Sequence, residues 1–565
     1  MPNRTPVLMG AGVLVALGGA AAIACAGSAA AWGLALEVGG MIAACAAAAS
    51  SVRRGATIED QRPKPRFFGP ALIALGLVAY MGTIRAGFLD TDDWAALYLG
   101  RVMGDLHAQM PDLARWSLDR AIHLSHAALF VLFAAERPVF GLSAPGYHLV
   151  NVVVFGLAGW CVFGISRRVV RDDLAAFFGA VLFVLHPRLW EIAWVASRAE
   201  WTLLTICCLA GTSAYLRFLD HGRRRDLVVS YAAIYAATFT REVALLAPFL
   251  VLGAVATIGR EKDRGLGPRW AVVPHFLASA ILLVHLFGPF LAGRPEGACA
   301  AAPAVVAESV AGRFGAFAHT AFVKLPLALI APIQGSGVGG LVWLNLPIAA
   351  LFLAGIFFLA RGVPRGRGPA WFALLFLCLG AAPVLFRYPG GGFEDRHLIW
   401  MVVAWSIFVG VCLAALPGPR LVRTVVAAVV AASFFLGSSA AGRRHAEAEA
   451  ETVRSSHQIM ALARNVAPEG PIILLFDEDD SRNMVASLVI AAFIGRPEGS
   501  VVAVRGAVLA GAGAGTPGRA VPGRAFVLAR KRDSRRWESV PAEEGSVLTG
   551  QETVYRSAFD VFQKM

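Results

Sequence analysis

Three carboxylates and an aromatic ring, at Asp90, Asp92, Asp93 and Trp94, follow directly after a predicted membrane span. A carboxylate close to a bilayer is costly unless it faces water, a cation or a polar substrate, so this acidic cluster predicts a functional site. The carboxylates have the chemistry of a general base, and their oxygens could also hold Mg²⁺ or Mn²⁺. The structural alternative is that Asp92 and Asp93 cap the helix that follows, because the N-terminal end of a helix favours negative charge. Capping explains one acid better than three.

Further polar side chains that topology does not require fall on the same predicted side of the membrane. They are Tyr147, His148 and Asn151; His186, Glu191, Arg198 and Glu200; and Glu394, Asp395, Arg396 and His397. Arg241 and Glu242 add an ionisable pair inside an apolar stretch, where unpaired charges are expensive. Such a site suits the transfer of a sugar from a lipid phosphate. The acceptor hydroxyl needs a base, the oxocarbenium-like centre tolerates carboxylates, and the departing phosphate needs fixed positive charge.

A structural role is the alternative for most of these side chains. His186 precedes Pro187, and the residue before a proline disfavours helical geometry, so this histidine could simply end a helix. Asn151 is expected to form a hydrogen bond between helices. Charged side chains could brace the bundle by pairing, which is the alternative for Arg198, Glu200, Arg241 and Glu242.

The composition predicts a polytopic α-helical membrane protein. Of its 565 residues, 57% are hydrophobic and 16% charged, the mean hydropathy is +0.63, and the apolar residues form blocks as long as a hydrocarbon core of ~30 Å requires. The formal charge of +13 lies largely in short loops between these blocks, as the positive-inside rule describes. Topology therefore explains much of the basicity, and no nucleic-acid partner is expected.

The apolar blocks predict about 11 to 13 spans. They lie at residues 7–27, 31–50, 69–85, 146–166, 174–186, 202–219, 227–239, 243–258, 270–291, 341–360, 370–386, 397–416 and 421–440. The block at 316–333 is expected to be re-entrant or a broken pair of half-helices. Basic loops in succession place one side in the cytoplasm and the acidic cluster on the outer side.

Three domains follow from this organisation. Residues 1–66 form an N-terminal helical pair with a basic cytoplasmic linker, residues 67–442 form the main transmembrane domain, and residues 443–565 form a small soluble α/β domain on the outer face. In that last domain, Ile472–Phe476 and Ala525–Ala529 are predicted strands and Ser481–Ile494 is a predicted helix.

Several motifs resemble one family. The segment from Gly179 to Glu200 resembles the "FAxHPxxxExVxWxxxRxD" signature of multi-spanning O-mannosyltransferase-like proteins with the GT-C fold. Four other segments resemble the family's "FxxDDW", "fGxxPxgyHxxN", "KExaxxxP" and "ERylY" motifs, in that order: Phe88 to Trp94, Phe140 to Asn151, Arg241 to Pro248 and Glu394 to Trp400. The order and spacing hold over about residues 80 to 400.

The resemblance implies an all-α, GT-C-like bundle that transfers a sugar from a polyprenyl-phosphate donor and inverts the anomeric centre. It implies that the first outer loop supplies the base, here Asp92 or Asp93, and that Arg198 and Arg396 are candidates for the phosphate. The remaining substrate-binding candidates are Asp90, His148, His186, Glu191, Glu200, Arg241, Glu242 and His397. Arg241 stands where the family has lysine, and the tetratricopeptide repeats of many relatives do not follow the membrane part.

The expected partners are a polyprenyl-phosphate sugar, a lipid, glycan or protein acceptor, and membrane lipids. No cofactor is expected, the alternative being a divalent metal at Asp90, Asp92 and Asp93. The expected location is a bacterial inner membrane, with the active site and C-terminal domain facing the periplasm. The alternative function is a non-catalytic protein that binds polyprenyl phosphate or transports a lipid-linked glycan.

Overall fold

A computed structural model gives the fold. It describes residues 67–85, 87–88, 93–94, 96–97, 126–170, 172–258, 271–291, 317–330, 345–346, 367–387, 395–416, 419–465 and eight short strands beyond residue 470. The predicted N-terminal helical pair at 1–66, Asp90, Asp92, the predicted span at 341–360 apart from two residues, and the predicted helix Ser481–Ile494 lie outside this part of the chain.

Thirteen α-helices are described. They are α1 (Phe68–Ala79), α2 (Ala127–Phe140), α3 (Ala144–Val170), α4 (Asp173–Val184), α5 (Trp190–Trp194), α6 (Ala199–His221), α7 (Arg224–Ala237), α8 (Ala247–Ile258), α9 (Val273–Leu291), α10 (Leu325–Ile330), α11 (Arg367–Arg387), α12 (Ile399–Ala415) and α13 (Arg420–Asn465). Short 3₁₀ turns join some of them, at Met81–Arg85, Pro187–Leu189, Ala196–Arg198, Glu242–Leu246 and Asp395–Leu398.

The helices pack as one bundle around α3, α4 and α12. Helix α3 packs against α1, α4 and α6, and α12 packs against α4 and α11. Aromatic side chains fill the centre, including Tyr80, Phe155 and Phe183, which are fully buried. In the described residues, four helical stretches are long and apolar enough to cross a membrane: Ala144–Val170, Ala196–His221, Asp395–Ala415 and Leu421–Arg444. The chain is thus an integral membrane protein with a mostly helical fold, as predicted.

The number of spans stays a prediction. Asp173–Val184 and Pro187–Trp194 together are long enough for one further span, but they are bent by 47°. Four shorter apolar helical stretches accompany them. Part of the block at 316–333 contains a π-helical turn, Thr320–Lys324, followed by α10. These described residues are too few for a span, and the predicted choice between a re-entrant and a broken helix stays open.

The bundle has two chemically different ends. Helix α3 carries His148 and Asn151 in its first turns and Arg167 and Arg168 in its last, about 30 Å further along at 1.5 Å per residue. At the basic end, arginines pair with aspartates of neighbouring segments. These pairs are Arg167 with Asp173 (2.7 Å), Arg168 with Asp220 (3.0 Å), Arg217 with Asp226 (3.2 Å) and Arg423 with Asp172 (3.3 Å). The described polar side chains among those that the sequence singles out, such as His148 and Asn151, lie at the opposite end.

Helix α13 continues past the predicted end of the last span. The apolar block ends near residue 440, yet the helix extends unbroken to Asn465. Alanine and glutamate dominate residues 446–451, and both are strong helix formers, so the helix does not stop where the hydrophobicity does. The compositional change at residue 443 therefore lies inside one helix.

The strands beyond α13 form two sheets. They are β1 (Ile472–Phe476), β2 (Val501–Arg505), β3 (Val508–Ala510), β4 (Arg519–Ala520), β5 (Phe526–Arg530), β6 (Trp537–Val540), β7 (Val547–Thr549) and β8 (Thr553–Tyr555). The larger sheet has the order β6-β5-β1-β2-β8, with β1 parallel to both neighbours, and the smaller has the order β3-β7-β4. Parallel neighbours need a crossover connection, and residues 477–500 join β1 to β2. Both predicted strands are confirmed, within one residue.

The Trp194 ring packs between Gly82 and Gly442, which are far apart in the sequence. A Cβ atom on Gly442 of α13 would collide with the indole ring of Trp194, and one on Gly82 would lie 3.3 Å from its Cη2. We expect Gly442→Ala to lower the free energy of unfolding by about 1–3 kcal/mol, because the added methyl overpacks a filled contact. Gly164→Ala is the matched control, since a Cβ there meets nothing within 4 Å. Equal denaturant-unfolding curves for the two variants would contradict this close packing.

Candidate active site

A break between two long helices builds the candidate site. Between α4 and α6 the chain makes the 3₁₀ turn Pro187–Leu189, the short helix α5 and the 3₁₀ turn Ala196–Arg198. His186 starts this break, because its Nδ1 accepts a hydrogen bond from the Arg188 amide at 3.2 Å. Its ring is fully buried and packs against Trp405 and Phe434, with centroids at 5.6 and 5.1 Å. This environment matches the structural alternative for His186.

Asn151 of α3 holds the middle of the break. Its Nδ2 atom is within hydrogen-bond distance of the carbonyl oxygens of Ile192 (2.8 Å), Ala193 (3.2 Å) and Val195 (3.1 Å). The side chain is buried, so these contacts satisfy carbonyls that a broken helix would otherwise leave without partners. The interhelical hydrogen bond expected of Asn151 is present, and it fixes the backbone between Glu191 and Arg198.

Five charged side chains meet at the break in what we term the arginine cluster: Arg188, Glu191, Arg198, Asp395 and Arg396. Glu191 Oε1 contacts Arg396 Nη1 at 2.8 Å and Arg198 Nε at 3.3 Å. The backbone amide of Arg396 also donates to Glu191 Oε2, at 3.3 Å. The turn Asp395–Leu398, just before α12, is thereby tied to the break. Three guanidinium groups face two carboxylates, so the cluster carries a formal charge of +1.

Asp93 is joined to the same break. Its carboxylate is fully buried, and Oδ1 accepts a hydrogen bond from the Ser197 backbone amide at 2.7 Å. His148 lies close by, with its Nε2 2.9 Å from the Gly87 carbonyl oxygen. Because Ser197 and Arg198 share one 3₁₀ turn, Asp93 and the arginine cluster are held in a fixed relation.

A second group, termed the Glu200 cluster, consists of His126, Glu200, Trp201 and Arg241. Glu200 Oε2 lies 2.6 Å from His126 Nδ1, and Oε1 lies 3.3 Å from Arg241 Nη1. The Arg241 guanidinium stacks over the Trp201 ring, 4.5 Å from its centroid, in a cation–π contact. The edge of Trp201 meets His397, with ring centroids 5.3 Å apart. His397 follows Arg396, so the two clusters are neighbours.

A largely apolar cavity of about 450 Å³ lies beside both clusters. Trp201, Glu242 and His397 line it on the polar side. The other lining residues are Val243, Leu245, Leu246, Gly380, Ala382, Pro383, Val384, Ile399 and Trp400. The cavity is therefore large enough for part of an amphipathic ligand whose polar end reaches the charged side chains.

The structure brings most of the predicted site residues together. The arginine cluster contains Glu191, Arg198 and Arg396, and the Glu200 cluster contains Glu200 and Arg241. Glu242 and His397 line the cavity, and Asp93 and His148 adjoin the break. His186 is buried in the bundle instead, and Asp90 and Asp92 lie outside the described residues.

Four residues of the site were given no individual role from the sequence: His126, Arg188, Trp201 and Asp395. Arg188 and Trp201 lie within or directly after the motif at Gly179 to Glu200, and Asp395 belongs to a polar group already noted in the sequence. Their sequence signal was therefore their position in a recognised segment. His126 had no such signal, because it lies outside all of the recognised motifs.

The arrangement has the chemistry to bind an anion. Each guanidinium carries five N–H donors in a fixed fork, which suits carboxylate and phosphate oxygens. Electrostatic contacts of this kind gain strength in a site shielded from water. The site thus combines net positive charge, a carboxylate-bearing loop and an apolar cavity.

Part of the chain is similar in sequence to known proteins. No family model matches the chain. Protein O-mannosyl-transferase Tmtc1 of Drosophila melanogaster is 30% identical over 203 residues, which are 34% of this chain and 23% of the relative. Protein O-mannosyl-transferase Tmtc2 of the same organism is 31% identical over 160 residues, 27% of this chain and 17% of the relative. The chain thus matches less than a quarter of the length of either relative. The predicted resemblance to O-mannosyltransferase-like proteins is confirmed.

Two solved structures superpose on the chain with TM-scores of 0.44. ArnT from Cupriavidus metallidurans, bound to undecaprenyl phosphate, is 15% identical, and the match covers 78% of this chain and 94% of that one. The archaeal oligosaccharyltransferase AglB from Archaeoglobus fulgidus, in complex with an inhibitory peptide and a dolichol-phosphate, is 11% identical, with coverages of 78% and 69%.

Proposed function

We propose that this chain, which is similar to O-mannosyltransferase-like proteins, is an integral membrane glycosyltransferase of GT-C type. It transfers a sugar from a polyprenyl-phosphate donor to an acceptor on the outer side of a bacterial inner membrane, with inversion. The observation that carries the proposal is the break at residues 185–198. There a positively charged arginine cluster and the anchored segment at Asp93 share one 3₁₀ turn.

The leaving phosphate is assigned to Arg198 and Arg396. Both guanidinium groups contact one oxygen of Glu191, so two cations share a single carboxylate. The surplus charge of +1 is available to a phosphate that gains negative charge as the glycosidic bond breaks. Fixed donors aimed at developing charge lower the barrier of such a step. Glu191 then acts by holding the two arginines together.

The base is assigned to Asp92, and Asp93 is a positioning residue. A base must reach the acceptor hydroxyl, within hydrogen-bond distance or through one water. The Asp93 carboxylate is fully buried and committed to the Ser197 amide, and a hydrogen bond to the charged form weakens a carboxylate as a base. Asp93 thus anchors the loop, and its neighbour in the sequence is left for proton transfer.

The Glu200 cluster and the cavity are assigned to the substrates. The apolar lining suits a lipid chain, and its polar edge at His397 adjoins Arg396, where the phosphate is assigned. Carboxylate, imidazole and guanidinium groups, as found at Glu200, His126 and Arg241, are suitable hydrogen-bond partners for sugar hydroxyls.

The proposed reaction needs no metal, because arginines can neutralise the leaving phosphate in place of a Lewis acid. We expect transfer by the purified protein to persist in excess EDTA, within about twofold of the untreated rate. A Mg²⁺- or Mn²⁺-dependent glycosyltransferase assayed in the same buffer is the control. Loss of transfer in EDTA, restored by Mg²⁺ or Mn²⁺, would instead assign a metal to Asp90, Asp92 and Asp93.

The second candidate is a protein that binds or transports a lipid-linked glycan without transferring it, and it is favoured by the same arginine cluster. Proteoliposomes that hold a labelled polyprenyl-phosphate sugar separate the two. Label that moves from lipid to a water-soluble or lipid acceptor supports the enzyme. Label that crosses the bilayer while staying on its lipid supports transport.

A further inference from the structure

Arg188 pairs with a different carboxylate from the other two arginines of the arginine cluster. Its Nη1 contacts Asp395 Oδ1 at 3.0 Å, whereas Glu191 takes the other two guanidinium groups. The second oxygen of Asp395 accepts a hydrogen bond from Trp190 Nε1 at 3.3 Å. Donors from the break thus contact both oxygens of Asp395.

The formal charges of the arginine cluster divide into the same two groups. Arg188 and Asp395 form a neutral pair, so the surplus positive charge of the cluster belongs to the two arginines at Glu191. A phosphate that neutralises this surplus therefore has no electrostatic need of Arg188.

The two ion pairs are reciprocal. Adjacent residues of one turn, Asp395 and Arg396, contact Arg188 and Glu191 of the break, which are three residues apart. In the first pair the break carries the positive charge and the turn carries the negative charge, and in the second pair the signs are reversed. Two such contacts resist both sliding and rotation of one segment against the other.

We infer that Arg188 and Asp395 are positioning residues that hold the turn Asp395–Leu398 against the break and so place the Arg396 guanidinium. Arg188 does not touch the substrate. This inference rests on the proposed function in one respect, since it takes Arg396 as a ligand of the donor phosphate.

The test is a double-mutant cycle on the full-length protein in lipid nanodiscs, with undecaprenyl phosphate as the probe. Arg188→Gln and Asp395→Asn should each weaken binding about 10-fold, because either change breaks the ion pair that holds the turn, leaves a buried charge without its partner and so displaces the Arg396 guanidinium. The double variant R188Q/D395N should return to within about threefold of the unsubstituted protein, because its two neutral amides can hydrogen-bond to each other and still hold the turn against the break without a buried unpaired charge. Arg396→Gln should stay weak when Glu191→Gln is added.

Binding by R188Q/D395N as weak as that by Arg188→Gln would overturn the inference and make Arg188 a phosphate ligand. Should a single variant not fold, the double variant alone decides by the same threefold limit. A double variant that does not fold although both singles do would also overturn it.

A different experimental result would show that the proposed function, rather than this inference, is wrong. If the unsubstituted protein binds no undecaprenyl phosphate, the assignment of Arg396 fails, and the positioning pair is judged by amide hydrogen exchange over residues 395–398. Faster exchange in Arg188→Gln and recovery in the double variant support the pair. Unchanged exchange in Arg188→Gln overturns it.

Discussion

Asp92→Asn is expected to reduce transfer by about 10²- to 10⁴-fold, the range that removal of a general base produces. The asparagine keeps the size of the side chain but cannot take the proton of the acceptor hydroxyl. Binding of undecaprenyl phosphate should be unchanged, because the arginine cluster is intact. The measurement is the single-turnover rate of sugar transfer by the purified protein in nanodiscs.

Asp93→Asn is the matched control, one residue away. Its amide oxygen still accepts the Ser197 N–H, so the loop stays anchored and transfer should fall less than about 10-fold, the scale of one hydrogen bond. Asp93→Ala removes that acceptor and should lower both the unfolding temperature and the rate. An active Asp92→Asn protein together with an inactive Asp93→Asn protein would reverse the two assignments.

Arg396→Gln is expected to weaken binding of undecaprenyl phosphate by about 10- to 150-fold. This corresponds to ~1.5–3 kcal/mol, the contribution of a hydrogen bond to a charged group. The substitution removes a cation from the pair that shares Glu191 and leaves the cluster without its surplus charge. Arg198→Gln should act in the same direction. Equilibrium binding to the protein in nanodiscs measures both.

Arg168→Gln tests whether this effect is local. Arg168 also pairs with a carboxylate, Asp220 at 3.0 Å, but at the basic end of the bundle. The change in net charge is the same, so a general electrostatic effect would weaken binding equally in both variants. We expect Arg168→Gln to bind like the unsubstituted protein, and equal losses would contradict the assigned phosphate site.

The helices were predictable because their signal is local. Continuous apolar blocks gave the positions of α3, α4, α6 and α12 to within a few residues. The end of α13 was not predictable in this way, since hydrophobicity stops near residue 440 whereas helix propensity continues through the alanine- and glutamate-rich segment.

The partners of the charged residues were not predictable from spacing. Arg198 and Glu200 are two positions apart, and residues at that spacing do not face each other on a helix. The structure pairs Arg198 with Glu191 across the break, and Glu200 with Arg241 and His126. These contacts arise from the bend in the chain, which the sequence marks only by Pro187.

The contact between Arg188 and Asp395 is a second contact that could not be predicted from the sequence. These residues are 207 positions apart, so neither periodicity nor local motif spacing links them. Both lie in segments that the family resemblance had already selected. The predicted topology placed both segments on the same side of the membrane, and the packing of α4, α12 and α13 determines which side chains touch.

Cleavage of a polyprenyl-phosphate sugar is the defining step of the proposed reaction. The measurement is release of polyprenyl phosphate from a panel of such donors by the purified protein in lipid, with and without membrane extract as the source of acceptor. We predict release from at least one donor, increased by the extract and lost in Asp92→Asn. A folded protein that binds undecaprenyl phosphate yet releases none from any donor would contradict the enzyme and favour the binding or transport protein.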